Sequence, residues 1–327
     1  MKQKVVVTRR IPQKALDILE KHAEVYVWDS EEQPIPRHIL LQEVEDAAGI
    51  FSILTERIDT EVFEQAPMLK VVSNMAVGVD NIDLAEATRR GIPVGHTPGI
   101  LTETTADLTF ALLMATARRL VDAVQFIKDG KWKSWSPMLL TGQEIYGATI
   151  GIIGMGRIGE AVAKRAAGFD MNILYHNRSR RPDVEKQLNA QYRPLEELLR
   201  ESDFVVLLTP STPETYRMMG EEQFNLMQPN AIFINTSRGK NVDETALYNA
   251  LKEGKIWAAG LDVFDKEPID PDHPLLSLPN VVALPHIASA SIATRTKMAV
   301  LAAENLVAGI MGEKLKHTAN PEVYFAT

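Results

Sequence analysis

The stretch Ala148-Thr-Ile-Gly-Ile-Ile-Gly154-Met155-Gly156-Arg157-Ile158-Gly159-Glu-Ala-Val-Ala-Lys164 decides the fold. It holds G-x-G-x-x-G directly after a short apolar run and at the head of an amphipathic pattern. In that setting the glycine spacing reads as a dinucleotide-binding βαβ unit. Gly154 permits a tight turn, Gly156 lets a pyrophosphate approach the backbone, and Gly159 lets helix and strand pack closely. Helix N-terminal amides, here those around Arg157 and Ile158, carry the partial positive charge that suits a phosphate. The competing reading is a glycine-rich turn in an ordinary α/β protein.

The same alternation extends outward along the chain. Strands are expected at Lys4–Val7, Glu24–Trp28, Gly49–Leu54, Lys70–Ser73, Pro93–Gly95, Thr149–Ile153, Asn172–His176, Phe204–Leu208, Ala231–Asn235 and Val281–Leu284. Helices are expected near 12–21, 36–47, 82–90, 103–128, 157–168, 194–201, 243–253 and 290–312. Strands separated by helices of this length indicate βαβ units and mostly parallel sheets. Runs such as Phe204-Val-Val-Leu-Leu suit strands covered on both faces. The connection from Gly130 to Tyr146 is long and carries Trp132 and Trp135, which marks it as a functional or interface loop.

At 327 residues the chain has room for two domains and a large core. Thirty-five Lys and Arg face 43 Asp and Glu, giving a formal charge of −8. That argues against nucleic acid or an anionic membrane as the main partner. With no cysteine, disulfides, zinc–thiolate sites and thiol nucleophiles are excluded. No apolar run approaches the ~18–20 residues of a membrane span, and only three apolar residues adjoin near the N-terminus. The expected setting is the cytoplasm.

The end of the second strand of the dinucleotide unit indicates which dinucleotide. An NAD site usually places a carboxylate about 20 residues on, to bond the ribose 2′-hydroxyl. Here Asn177-Arg178-Ser179-Arg180-Arg181 stands in that place, neutral and then cationic. Guanidinium groups bind a 2′-phosphate with charge-assisted bonds, whereas a carboxylate repels it. The expected cofactor is therefore NADPH, with NADH possible and Asn177, Arg178, Ser179 and Arg181 as candidate contacts. A solvated basic loop is the alternative.

Three later segments end strands or turns: Asn235-Thr236-Ser-Arg238-Gly239, Gly260-Leu-Asp262-Val-Phe-Asp-Lys-Glu267-Pro, and Pro285-His286-Ile-Ala288. Ligands of open α/β sheets bind outside the carboxyl ends of strands, so Arg238, Glu267 and His286 can converge there. A structural ion-pair cluster is the alternative.

These segments resemble the D-2-hydroxyacid dehydrogenase family over essentially the whole chain, and within it most nearly the glyoxylate/hydroxypyruvate reductases, which grade into 2-ketogluconate reductases. Further matching segments are Val7-Thr-Arg-Arg-Ile-Pro12, Met75-Ala-Val-Gly-Val-Asp-Asn81, Gly91-Ile-Pro-Val-Gly-His-Thr-Pro98 and Trp132-Lys-Ser-Trp135. The resemblance implies an α/β fold of two Rossmann/flavodoxin-like domains with parallel sheets and the active site in an interdomain cleft. The substrate-binding domain would be residues 1–100 completed by 290–327. The dinucleotide-binding domain would be 101–289. A homodimer is implied, with the 103–128 helix and the Trp132–Tyr146 loop taking part.

By the same resemblance, the substrate is a small 2-oxo acid, glyoxylate or hydroxypyruvate. His286 would be the general acid, oriented by Glu267, with Arg238 holding the carboxylate. The amides of Val77 and Gly78 would complete that cradle. Leu54 and Met75 would line the pocket, and Trp135 would close it from the partner. Asp262 would bond the nicotinamide carboxamide, Thr105 would lie near the phosphates with Thr236 also on the cofactor side, and Pro210 would lie by the adenine. No metal is expected. The family usually has Gly where Ala288 stands. Alternatives are 2-ketogluconate reduction, another D-2-hydroxyacid dehydrogenase activity, or a dinucleotide-sensing corepressor-like binding protein.

Overall fold

The structure is a computed structural model and describes residues 2–325. The described residues form two compact units. One takes the chain up to Leu101 and again from Ala290, and the other is Thr102–Ser289. Both are α/β with parallel sheets.

The first unit begins β1 (Gln3–Val7), α1 (Gln13–His22), β2 (Ala23–Val27), α2 (Arg37–Glu43), β3 (Ala47–Ser52), α3 (Thr60–Gln65), β4 (Val71–Asn74), α4 (Leu84–Arg89) and β5 (Val94–Gly95). Its strands lie in the order β2-β1-β3-β4-β5, all parallel. That is the flavodoxin-like winding. Asp59 and Asp83 cap α3 and α4 by accepting the amides of Val62 and Glu86, which fixes the starts of two short helices. Helix α3 has only six residues and no long periodic run, so the sequence pattern alone does not bring it out.

The second unit continues α5 (Thr102–Ala117), α6 (Leu120–Lys128), β6 (Thr149–Ile153), α7 (Arg157–Ala167), β7 (Asn172–His176), α8 (Pro182–Leu188), β8 (Gln191–Tyr192), α9 (Leu195–Glu201), β9 (Phe204–Leu207), α10 (Glu221–Leu226), β10 (Ile232–Asn235), α11 (Glu244–Lys252), β11 (Ala258–Leu261) and β12 (Val281–Ala283). The strand order is β12-β11-β10-β9-β6-β7-β8. The chain reverses direction across the sheet at β6, the switch point where open α/β sheets bind ligands. Cores cover both faces, one around Ile150, Ile152 and Val206, the other around Ile153, Val205 and Phe233.

Two expectations need correction here. The helix expected over 103–128 is two helices. Arg119 takes a left-handed backbone (φ 52°), and α6 starts after it. The cause is the Ala117 carbonyl, which accepts Gln143 N–H at 2.9 Å instead of continuing the helical ladder. Gly142 makes that approach possible, since a Cβ there would lie 2.0 Å from the same oxygen. Second, β11 (Ala-Ala-Gly-Leu) is absent from the expected strands because it has no β-branched residue. Helix α5 lies directly over it: a Cβ on Gly260 would come within 2.8 Å of Leu112 Cγ and 2.7 Å of Thr116 Oγ1.

After Ser289 the chain returns to the first unit as α12 (Ile292–Ile310), started by Ser291 accepting the Thr294 amide. Ala299, Ala302, Ala303, Leu306 and Ile310 pack on Val5, Val7, Phe51 and Val71 and cover one face of that sheet. Among the described residues no helix is long and apolar enough to cross a membrane.

Candidate active site

Three segments of the second unit bring Arg238, Glu267 and His286 into one neighbourhood. After β10, Asn235 folds the chain: its Oδ1 accepts the Ser237 amide at 3.0 Å and its Nδ2 donates to the Arg238 carbonyl at 3.0 Å. Gly239 then lets this turn lie against the next one. A Cβ at 239 would be 1.8 Å from the Phe264 carbonyl carbon, so only glycine fits. The Phe264 amide in turn donates to Glu267 Oε1 at 3.0 Å.

The other carboxylate oxygen of Glu267 faces His286 Nδ1 at 2.7 Å. With that contact Nδ1 carries its proton toward Glu267, leaving Nε2 as the ring atom that can serve a substrate. Burial pushes the Glu267 carboxyl up. The hydrogen bond and charge of His286, the Phe264 amide and the charge of Arg238 outweigh it and hold the group below its ordinary value.

His286 has a left-handed backbone (φ 54°), unusual for a residue with a side chain. Asp262 holds it there: its buried carboxylate accepts Ile287 N–H and Ala288 N–H, each at 2.8 Å. Burial raises the Asp262 carboxyl, and the two amides pull it back only in part. The expectation of a carboxamide contact is thus joined by a role the sequence did not reveal, since both oxygens already fix the His286 turn. Ala288 is itself buried and supplies one of those amides.

The glycine loop after β6 gives its three glycines three different surroundings. Gly154 has φ 103°, and a Cβ there would meet the Leu208 carbonyl carbon at 2.8 Å. At Gly159 it would be 2.4 Å from the Gly154 carbonyl oxygen, and at Gly156 it would meet nothing within 4 Å. Gly156 also leaves α7 without a side-chain cap, so Arg157 and Ile158 begin a helix whose first amides are open to an anion. A pyrophosphate therefore fits this loop. Thr236 and Thr105 are buried and linked through Thr109: the hydroxyls of Thr236 and Thr109 are 2.7 Å apart, and Thr109 bonds the Thr105 carbonyl. Pro210 is exposed in a segment held by buried Asn241, which donates to the carbonyls of Thr209 and Pro210.

The cationic run after β7 is not uniform. Arg180 pairs with Glu185 at 2.7 Å and lies over the Tyr192 ring. Arg181, expected among the cofactor contacts, pairs with Asp183 at 2.7 Å and Glu160 at 3.4 Å. Asn177 is turned toward the glycine loop and accepts the Met155 amide at 3.1 Å. Arg178 and Ser179 are exposed, and among the described residues no carboxylate pairs with Arg178.

In the first unit, Val77 and Gly78 lie on a loop pinned by residues that the sequence reading passed over. Asn74 Nδ2 donates to the Gly78 carbonyl (3.0 Å) and to Asn81 Oδ1 (3.1 Å). Asn81 Nδ2 donates to the carbonyls of Ile53 and Glu56, both at 2.9 Å, which flank Leu54. His96 Nδ1 lies 3.0 Å from the Val77 carbonyl oxygen. Two asparagines at a spacing of seven were the available signal. Met75 is half-buried. Trp135 is 77% exposed on the long loop of the second unit.

Comparison with known proteins extends these observations. Residues 110–288 match the family model described as D-isomer specific 2-hydroxyacid dehydrogenase, NAD binding domain. A glyoxylate reductase of Korarchaeum cryptofilum is 56% identical over 324 residues, covering 99% of this chain and 97% of the relative. A crystal structure from Thermus thermophilus superposes with a TM-score of 0.91 at 48% identity, covering 97% of this chain and 100% of that one. An NADPH-dependent glyoxylate/hydroxypyruvate reductase from Sinorhizobium meliloti, in complex with NADP and malonate, superposes with a TM-score of 0.84 at 33% identity, covering 98% of each chain.

Proposed function

Because the chain belongs to the D-isomer specific 2-hydroxyacid dehydrogenases, a family of oxidoreductases with an NAD-binding domain, we propose that it reduces glyoxylate to glycolate and hydroxypyruvate to D-glycerate, with NADPH preferred over NADH. The observation that carries this reading is the 2.7 Å pairing of Glu267 with His286 on the segment that follows β12. The glyoxylate reductase of Korarchaeum cryptofilum supports the substrate class, and the NADPH-dependent enzyme of Sinorhizobium meliloti supports the cofactor.

The dinucleotide, when bound, supplies the hydride. The glycine loop and the first amides of α7 hold its pyrophosphate. Arg178 and Ser179 take the 2′-phosphate, since the neighbouring arginines are already neutralised by carboxylates.

His286 Nε2 gives its proton to the carbonyl oxygen as negative charge grows there. Glu267 holds the ring through Nδ1 and leaves Nε2 to the substrate. Arg238 binds the substrate carboxylate and stabilises the developing charge. The amides of Val77 and Gly78, on the loop that Asn74 holds, are the first unit's candidates for a substrate contact.

The active species is a homodimer. Its support is α6, where Leu120, Val121, Val124 and Ile127 form one apolar stripe, each more than half exposed.

The deciding experiment follows nicotinamide absorbance with glyoxylate, hydroxypyruvate and 2-ketogluconate against each cofactor. The proposal expects turnover of the first two with a higher kcat/KM for NADPH. Turnover of 2-ketogluconate alone, or a preference for NADH, overturns it.

A further inference from the structure

Met155 lies between the first two glycines of the dinucleotide loop, and both its backbone N–H and its carbonyl are held by one other segment. Its N–H donates to Asn177 Oδ1 at 3.1 Å. Its carbonyl accepts from Arg181 Nη1 at 3.0 Å. The preceding Gly154 amide donates to the His176 carbonyl at 3.0 Å. Arg181 is fixed in turn: its amide donates to the Tyr175 hydroxyl at 2.7 Å, and its other guanidinium nitrogens bond Asp183 at 3.0 and 2.7 Å and Glu160 of α7 at 3.4 Å.

This arrangement conflicts with a phosphate ligand. Two carboxylates face one guanidinium, and four of its five N–H groups bond Asp183, Glu160 and the Met155 carbonyl. It does suit a brace. One planar fork reaches a loop carbonyl, the first turn of α7 and the start of α8, a geometry that a guanidinium can make and an ammonium cannot.

We propose that Arg181 is a positioning residue for the dinucleotide site, which fixes the Met155 peptide so that the Gly154–Gly159 loop is ready for a pyrophosphate and leaves recognition of the 2′-phosphate to Arg178. The inference rests on the dinucleotide reading of that loop. Its consequence is that Arg181 governs affinity for both cofactors alike, although it sits in the segment that tells them apart.

The test measures binding to the enzyme without turnover. Isothermal titration compares adenosine 5′-diphosphate, which carries a pyrophosphate and no 2′-phosphate, with adenosine 2′-monophosphate, which carries the reverse. Arg181→Lys keeps the charge and the aliphatic stem but loses the fork, and Arg181→Met is the second variant. A thermal melt shows that each is folded.

The brace predicts a roughly tenfold loss of affinity for the diphosphate in both variants, the scale of one charge-assisted hydrogen bond. The 2′-monophosphate should bind within about twofold of wild type. An unchanged diphosphate affinity, or an equal or greater loss for the 2′-monophosphate, overturns the proposal. Failure of the wild-type protein to bind the diphosphate would instead sink the dinucleotide reading.

Discussion

The Nδ1 atom of His286 lies 2.7 Å from Oε2 of Glu267, while the other oxygen of that carboxylate holds the Phe264 amide. The carboxylate thus couples the imidazole to the turn that leads to it. His286→Ala should lower kcat for glyoxylate reduction by roughly 10²–10⁴, with the affinity for adenosine 5′-diphosphate unchanged. Stopped-flow and titration measure the two, and a variant with wild-type turnover removes His286 from the mechanism.

The pH profile tests the pair itself. Glu267 is held below its ordinary value near 4.5, so its carboxylate persists into mild acid. The stability this group adds is present above about pH 4.5 and is lost as pH falls through the lowered folded value. Glu267→Gln removes the titrating carboxylate, so the acid limb that its protonation sets in the reductive profile should disappear. An unmoved limb argues against the pairing.

Arg178→Ala should raise KM for NADPH by roughly 10–100-fold, the loss of a hydrogen bond between charged groups, and leave KM for NADH nearly unchanged. Equal effects on the two cofactors would remove Arg178 from 2′-phosphate recognition.

Two glycines of one loop should respond in opposite ways. A Cβ at Gly156 meets no protein atom within 4 Å, so Gly156→Ala should change stability by under about 0.5 kcal/mol and weaken dinucleotide binding. A Cβ at Gly159 would sit 2.4 Å from the Gly154 carbonyl oxygen, so Gly159→Ala should cost about 1–3 kcal/mol. Thermal melts with and without NADPH separate the two. Equal melting temperatures for both variants contradict the assignment.

Asn81 joins the carbonyls around Leu54 to Asn74, which holds the Gly78 carbonyl. Asn81→Ala should therefore raise KM for glyoxylate by roughly tenfold through misplaced contacts, at constant KM for NADPH. A rise in KM for both would mean that the whole fold has loosened.

Val124 stands in the middle of the exposed stripe of α6, at 54% exposure. Val124→Glu should convert a sedimenting dimer of 36.3 kDa chains into monomer. A wild-type protein that sediments as a monomer removes the dimer from the proposal.

The α/β alternation of both units was readable because it rests on local signals. The apolar runs at Val5–Val7, Phe204–Leu207 and Ile232–Ile234 and the glycines at 154, 156 and 159 each announce their own role. What the sequence concealed depends on distant partners. The α5 break at Arg119 has no Gly or Pro beside it, because its cause is the Gln143 amide. The three arginines after Asn177 look alike until the folded chain sets Glu160, Asp183 and Glu185 against two of them. Asp262 reads as a ligand contact, yet its grip on the two amides after His286 appears only in three dimensions. The trio Arg238, Glu267 and His286 was legible as a set through the resemblance. Its packing through Gly239 was not.

The return of α12 to the first sheet inverts the order in which the molecule is finished. Residues enter the ribosomal tunnel from the N-terminal end, yet one face of the sheet made from them has only α1, through Ala15 and Leu19, to cover it until Ala299–Ile310 arrive. The unit Thr102–Ser289 can close around its own core earlier. A nascent chain paused before Ile292 thus leaves the part of this face that α12 covers, around Phe51 and Val71, open to water, a hydrophobic surface of the kind that chaperones capture during synthesis.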